Sequence, residues 1–348
     1  MSEETSRPQI WTGREISDIL NFRRIDLKKV SEVYQERRRE HMNTEDFTVY
    51  RKVMPERKPM YQEFPPSLHP DIRKFLKLEG ISSLYSHQAE MYEKAQEGKN
   101  VVITTSTASG KTLSFLLPVL QEILKNPLTR AVFVYPTKAL ASDQYRVLKP
   151  VLEYFGEGRI NAGVYDGDTM QAERSRIRKS ANIILTNPEM LNSAFLPNHS
   201  SYGFDFIFSN LKYVVIDELH TYRGAFGAHL ANIFRRMKRI CGYYGSKPRF
   251  LCSSATIANP EELAEKICGE KFVLVDQDGS GAPQKEYRLL LPPEIKGKND
   301  KIYGRRPASY LAAELIPALA AGGHHFIVFG RSRNKSLFLA ADGKSREK

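Results

Sequence analysis

One stretch limits the folds open to this chain more than any other. The apolar run Val101–Thr105 leads into Thr105-Ser-Thr-Ala-Ser-Gly110-Lys111-Thr112. A helical pattern follows at once, with Leu113, Leu116, Leu117, Leu120 and Leu124 at steps of three and four. A strand apolar at every position is buried on both faces, and one that feeds an amphipathic helix through a loop of small residues is half of a βαβ unit. The arrangement recurs in the apolar runs Ala131–Tyr135, Asn182–Thr186, Tyr213–Asp217, Phe250–Ser253 and Phe272–Val275. A second amphipathic helix is expected over Ala225–Ile240, from Leu230, Ile233, Phe234, Met237 and Ile240. Such alternation requires an α/β fold: a mostly parallel sheet covered by helices on both faces.

The chain has 348 residues, which suggests about two domains. With 41% hydrophobic and 26% charged residues the composition is globular. No run approaches the roughly 18 apolar residues of a membrane span. The start, MSEETSRPQI, has no apolar secretory core, so a cytoplasmic chain is expected. Three cysteines without a CxxC pair argue against a disulfide framework or a complete zinc site. Residues 1–70 read as an extension, with a helix over Glu15–His41 ending in Arg37-Arg38-Arg39 and then a proline-rich extended stretch. Residues 71–276 hold the α/β lobe. The Gly-, Pro- and Lys-rich segment 277–307 reads as a connector, and 308–348 as the start of a second lobe: a helix over Ala308–Ala321 and a strand at His325–Phe329. The basic helix face of Arg235, Arg236, Lys238 and Arg239 reads as solvated surface.

The loop after the first strand sits where a phosphate-binding loop must sit. Backbone N–H groups of Thr107, Ala108, Ser109 and Gly110 at a helix N-terminus suit phosphate oxygens. Lys111 suits the β- and γ-phosphates of ATP, and the Thr112 hydroxyl suits Mg²⁺. Thr105 stands where the strict GxxxxGK[ST] pattern has its first glycine, and an ordinary turn with a surface lysine is the bland alternative. Tyr213-Val-Val-Ile-Asp217-Glu218-Leu219-His220 is an apolar strand ending in two carboxylates. In α/β sheets the carboxyl ends of strands face one crevice. Asp217 is therefore expected beside Thr112 as a Mg²⁺ ligand, and Glu218 as the base for an attacking water. The alternative is a polar strand end meeting solvent. The small hydroxyl residues of Ser253-Ser254-Ala255-Thr256, at the end of another strand, are placed to bond the Asp217/Glu218 cluster and report its state, with Ser254 and Thr256 as the coupling pair, or else to cap a helix before Asn259-Pro260. Gln88 offers a donor and an acceptor that match adenine, and Tyr85 a flat wall for the base; an exposed Gln at a helix start is the alternative.

In order, YSHQ (85–88), TASGKT (107–112), YPTKAL (135–140), YDGDT (165–169), TNPEM (186–190), DELH (217–220) and SAT (254–256) resemble the motifs of superfamily-two DEAD/DEAH-box helicases. The set is most similar to the bacterial YprA/MrfA-type DNA helicases, over about residues 65–335. The resemblance implies a two-lobed motor with ATP between RecA-like lobes and single-stranded nucleic acid, DNA in this family, crossing both. By it, Pro136, Thr137 and Lys138, Gly167, Asp168 and Thr169, and Thr186, Asn187 and Pro188 line the strand path, and His220 links hydrolysis to movement. These segments end strands or open helices, where backbone N–H groups hold phosphates without reading bases, although Asp168 has a plain alternative as a helix cap. A net charge of +12 favours a polyanionic partner, and the motifs do not distinguish DNA from RNA. The expected second lobe is shortened after Arg331-Ser-Arg333. Two readings follow: an ATP-dependent helicase, or a module that binds ATP and nucleic acid with little turnover.

Overall fold

The computed structural model describes residues 47–106, 108–156, 158–296, 301–321, 325 and 327–329. The expected helix over Glu15–His41, Thr107 and the Arg331–Arg333 segment lie outside them. The chain divides into two compact units: residues 56–283, and the segments that flank them on either side.

The 56–283 unit is built on seven parallel strands: β1 (Asn100–Thr104), β2 (Arg130–Val134), β3 (Ala162–Val164), β4 (Ile183–Thr186), β5 (Leu211–Ile216), β6 (Arg249–Ser254) and β7 (Phe272–Val275). They lie side by side in the order β7-β1-β6-β5-β2-β4-β3. Successive side chains of a strand leave opposite faces, and here both faces are cores. Val101, Ile103, Phe133, Leu185, Tyr213, Val215 and Leu251 enter one apolar cluster. Val102, Val132, Val134, Ile184, Val214, Ile216 and Cys252 enter the other. This double burial is why the strands read as unbroken apolar runs rather than as alternating ones.

Four helices contribute to the first cluster: α1 (Pro70–Leu78), α2 (Ser86–Gln96), α3 (Lys111–Lys125) and α4 (Lys138–Phe155). The second is filled from α5 (Gln171–Ser180), α6 (Phe204–Ser209), α7 (Gly224–Tyr243) and α8 (Pro260–Cys268). Right-handed crossovers explain the division. From β1 to β3 the chain steps across the sheet in one direction and lays its helices on one face. After β3 it steps back and lays them on the other. Connections from β1 and from β5 and β6 thus leave to opposite faces, opening a crevice at the carboxyl ends of these three neighbours.

The edge strand β3 was not among the expected strands. It is three residues long and centred on Gly163, where an added Cβ would lie 2.5 Å from the Ile177 side chain; glycine lets α5 pack directly on the strand. The compact unit also takes in residues beyond the expected lobe limits of 71 and 276. Tyr61–Gln62 pairs with Leu84–Tyr85, and Arg57 exchanges backbone hydrogen bonds of 2.9 Å with Ala282. All three cysteines are buried free thiols. No helix among the described residues is long and apolar enough to cross a membrane.

In the second unit, Thr48–Met54 and Lys285–Leu290 form an antiparallel ribbon, and Glu294–Lys296 pairs with Ile302–Arg305. Part of the expected connector is therefore strand. A helix covers Ala308–Ala321, as expected. Of the expected strand His325–Phe329, the described residues 325 and 327–329 join no ladder, and Ile327 and Phe329 are exposed.

Candidate nucleotide and nucleic-acid site

The loop from β1 to α3 lies at the crevice. Its Thr105 and Ser109 are buried and their hydroxyls bond each other at 2.6 Å. Ala108 has φ +61° and Gly110 φ +78°. The left-handed turn costs an alanine more than a glycine, so the loop holds a conformation its own residues do not favour. At Gly110 there is no alternative, since a Cβ would lie 2.6 Å from Gln88 Nε2. Lys111 opens α3 and turns back to donate to the carbonyls of Thr105 (2.9 Å) and Ser106 (2.8 Å). Burial lowers its pKa, while Glu218, Asp217 and Asp278 pull the other way. Thr112 Oγ1 donates to Gln144 Oε1 at 3.3 Å.

Across the crevice β5 delivers Asp217, buried at its carboxyl end. Burial raises the Asp217 pKa; hydrogen bonds from Ser253 and the Glu218 N–H, together with Lys111 and His220, oppose the rise. Its Oδ1 accepts from Glu218 N–H (2.9 Å) and from the Ser253 hydroxyl of β6. Glu218 is left-handed at φ +53°. Two of the three described non-glycine residues with positive φ, Ala108 and Glu218, are thus in this crevice, as expected where strain is held for function. His220 Nδ1 lies 3.2 Å from both Glu218 Oε2 and the Ala255 N–H. Nδ1 accepts from the Ala255 N–H and so lies beside Glu218 without donating to it, between the carboxylate and the segment after β6. Of the hydroxyls expected to meet the cluster, that of Ser253 bonds Asp217, whereas the two expected coupling residues do not: Ser254 Oγ is buried without a partner and Thr256 is exposed. One residue of register separates Ser253 from Ser254, because neighbours on a strand face opposite ways.

Gln88 sits on the first turn of α2. Its Oε1 accepts from Tyr85 N–H (3.0 Å) and its Nε2 donates to the Gly110 carbonyl (3.1 Å). The amide is half engaged by the backbone, with one lone pair and one N–H still to offer. Tyr85 stacks between Tyr61 (centroids 5.4 Å apart) and His87 (5.6 Å).

Two further residues hold the loop. His87, fully buried, accepts at Nδ1 from Gly279 N–H (3.1 Å) and meets the Ser109 carbonyl through Nε2 (3.0 Å). Asp278 Oδ2 accepts from Ser106 N–H (3.1 Å) and from Arg57 (2.8 Å). Sequence reading passed over both. Asp278 sat in a segment of linker-like composition, and its only local signal is the turn-forming Asp-Gly-Ser.

The expected strand-path segments divide. Lys138 and Asp168 form an exposed ion pair at 3.1 Å. Asp168 does not act as a helix cap: Met170 stands at the N-cap of α5, without a side-chain hydrogen bond. Asp166 Oδ1 closes the turn before it, accepting from the N–H groups of Asp168 (2.8 Å) and Thr169 (3.0 Å), while an added Cβ on Gly167 would approach Lys138 Nζ to 3.0 Å. Thr186 is fully buried and its hydroxyl donates inward to the Tyr165 carbonyl at 2.7 Å. Asn187 caps the next turn by accepting from Met190 N–H (2.9 Å), and Pro188 is buried. Thr137 accepts from Leu140 N–H at the start of α4, next to the half-buried Pro136. In the segment 186–188 the carbonyls of Thr186, Asn187 and Pro188 also accept within the fold, from Tyr135 N–H and Leu191 N–H.

The loop and both carboxylates open on one cavity of about 1110 Å³, lined among others by Tyr85, Gln88, Gly110, Lys111, Asp217 and Glu218. Comparison with known proteins places the chain in a family. The family described as DEAD/DEAH box helicase matches residues 85–263. The chain is 45% identical over 269 residues to the ATP-dependent helicase YprA of Bacillus subtilis, covering 77% of this chain and 35% of that protein. It is 39% identical over 256 residues to the ATP-dependent helicase hrq1 of Schizosaccharomyces pombe, covering 73% of this chain and 24% of that protein. Solved structures of the DUF1998 helicase MrfA, bound to DNA and bound to DNA and AMPPNP, each superpose with a TM-score of 0.81 at 41% identity, over 86% of this chain and 41% of theirs. The chain thus spans about a quarter to two fifths of these relatives.

Proposed function

Because the chain belongs to the DEAD/DEAH box helicase family, we propose that its 56–283 unit binds and hydrolyses ATP with Mg²⁺ at the β1/β5/β6 crevice, and that hydrolysis drives movement along single-stranded DNA. The observation that carries the reading is the single cavity on which Lys111, Thr112, Asp217 and Glu218 converge. The donors suit Mg²⁺, which takes hard oxygen ligands and keeps several waters: Thr112 offers a hydroxyl, and Asp217, with Oδ1 already bonded, offers Oδ2. When bound, the ion would neutralise charge on the β- and γ-phosphates.

The chain's own residues supply the rest. Amides of Ala108, Ser109 and Gly110 at the start of α3 receive phosphate oxygens, aided by the helix dipole. Lys111 exchanges its two carbonyl partners for phosphate. Glu218 takes a proton from the attacking water, its left-handed backbone holding the carboxylate at the mouth of the crevice. His220, between Glu218 and Ala255, passes a change at the carboxylate to the segment after β6. The free half of the Gln88 amide reads the adenine edge beside Tyr85. Phosphates of the strand run along Pro136–Lys138, Gly167–Thr169 and Thr186–Pro188, held mainly by backbone. DNA is preferred to RNA because the MrfA structures contain DNA.

One observation favours a second reading, a binding module with little turnover of its own. Among the described residues lining the cavity, Lys111 is the only cation. NTPases that use an arginine finger gain about 10³–10⁵ in rate from it. ATP hydrolysis measured with and without single-stranded DNA, and with RNA of equal length, separates the readings. Stimulation by DNA supports the motor, binding without stimulation supports the module, and absence of ATP binding contradicts both.

A further inference from the structure

We infer that Asp278 and His87 are positioning residues for the phosphate loop, pinning it at Ser106 and Ser109 and so setting its affinity for nucleotide phosphates. The inference rests on the nucleotide reading above; Asp278 lies outside the motifs that carry it, and His87 stands within YSHQ with no role assigned to it there.

The geometry starts from Asp278-Gly279-Ser280, which follows the last strand of the sheet. Asp278 Oδ1 accepts from the Ser280 N–H (2.9 Å) and hydroxyl (2.6 Å), closing a tight turn. This fixes the carboxylate so that Oδ2 meets Ser106 N–H and Arg57. Burial alone would raise the Asp278 pKa; the hydrogen bonds from Ser280, Ser106 and Arg57 outweigh it and hold the group well below the usual carboxylate range. Gly279 then comes so close to α2 that a Cβ would lie 2.2 Å from Ser86 Oγ, and its N–H reaches His87. Since Nδ1 accepts that bond, the neutral ring carries its proton on Nε2 and donates it to the Ser109 carbonyl. One side of the loop is thus held through its amide at Ser106, and the other through its carbonyl at Ser109.

The loop needs outside support. Ala108 is left-handed between those two anchors, and a strained residue persists only where its surroundings over-determine it. The anchors take one donor and one acceptor that point away from α3 and leave the amides of Ala108, Ser109 and Gly110 for an anion. They also bring a third carboxylate into the field of Lys111, opposing the effect of burial on it. The segment reaches Pro283, the last residue of the unit, a few positions later.

The test uses the full chain with Asp278→Ala, His87→Leu, His87→Gln and the milder Ser280→Ala. A glutamine amide replaces the ring's acceptor and donor without titrating. Two quantities are read: hydrogen exchange of loop amides without nucleotide, and affinity for Mg·ATP. Losing a hydrogen bond to a buried charged or unsatisfied group corresponds to about tenfold or more. Asp278→Ala and His87→Leu are expected to speed loop exchange and weaken Mg·ATP by that factor, with Ser280→Ala between them and wild type and His87→Gln near wild type. Unchanged exchange and affinity in Asp278→Ala overturn the proposal, as does a His87→Gln protein as impaired as His87→Leu. Should Asp278→Ala fail to fold, Ser280→Ala and His87→Gln decide in the same way. If exchange responds as expected but wild type binds no Mg·ATP, the nucleotide reading fails and the anchoring of the loop stands.

Discussion

The two ends of the sheet's carboxyl edge are built on opposite plans. At the β1/β5/β6 crevice, charged side chains are buried or half-buried and restrain one another: Asp217 by Ser253 and Glu218 N–H, Lys111 by two carbonyls, Glu218 by a left-handed backbone. Along β2, β3 and β4, side chains are turned inward, as in Thr186 and Asn187, or paired in solvent, as in Lys138 and Asp168. The first plan suits chemistry, which needs preorganised charge in a low dielectric. The second suits a ligand that must be held, released and shifted. An exposed ion pair is worth only about 0–1 kcal/mol, so separating Lys138 from Asp168 for another anion would cost little.

If that contrast is right, substitutions at the two ends differ in size and kind. The largest effect is expected for Glu218→Gln: about 10²–10⁴-fold slower ATP turnover with nucleotide affinity little changed, since only the proton acceptor is lost. Steady-state hydrolysis beside a binding titration checks this, and an unchanged rate would remove Glu218 from its role.

An intermediate effect concerns pH. Burial depresses the pKa of His87, opposed by its bond to Ser109 and by Asp278, and reinforced by Lys111 and Arg57; Tyr85 stacks on its ring. A base whose folded pKa is depressed stabilises the fold fully above its unfolded value, about 6.5, and that contribution is lost as pH falls through the folded value. The melting temperature of wild type is therefore expected to fall on acidification below about pH 6.5, and that of His87→Gln to fall less. Parallel curves for the two proteins would show that His87 does not titrate in this window.

The smallest effects are expected on the strand path. Lys138→Ala should weaken binding of single-stranded DNA a few-fold and make the plot of log affinity against log salt shallower by about 0.7, one phosphate contact. The parent slope should itself be modest, on the order of −2 to −4 for a few phosphates. A loss of base preference instead of a salt effect would mean that Lys138 reads bases.

The same contrast explains what was legible before the structure. Strands buried on both faces announce themselves by composition, and β1, β2 and β4–β7 stand within a residue or two of the expected runs. That Lys111, Thr112, Asp217 and Glu218 line one cavity was legible because it depends on residue type at a strand end. β3 was not, being three residues around a glycine. The run Ser253–Thr256 was legible as a partner of Asp217, but which of its two serines makes the bond was not, because the facing of a strand residue is invisible in a run of two serines. Asp278 and His87 make their bonds to partners 172 and 192 residues away in the chain, so no local pattern shows them. A turn that serves as an anchor has the composition of a linker.

The account stands or falls on whether the β1/β5/β6 crevice is a nucleotide site. Titration of Mg·ATP into the wild-type chain and into Lys111→Ala, at matched melting temperature, tests this directly. Wild type is expected to bind with saturation, and the variant to bind far more weakly for want of its charge-assisted phosphate bonds, each worth about 1.5–3 kcal/mol. Equal affinity in the two proteins, or no binding by wild type, would contradict it.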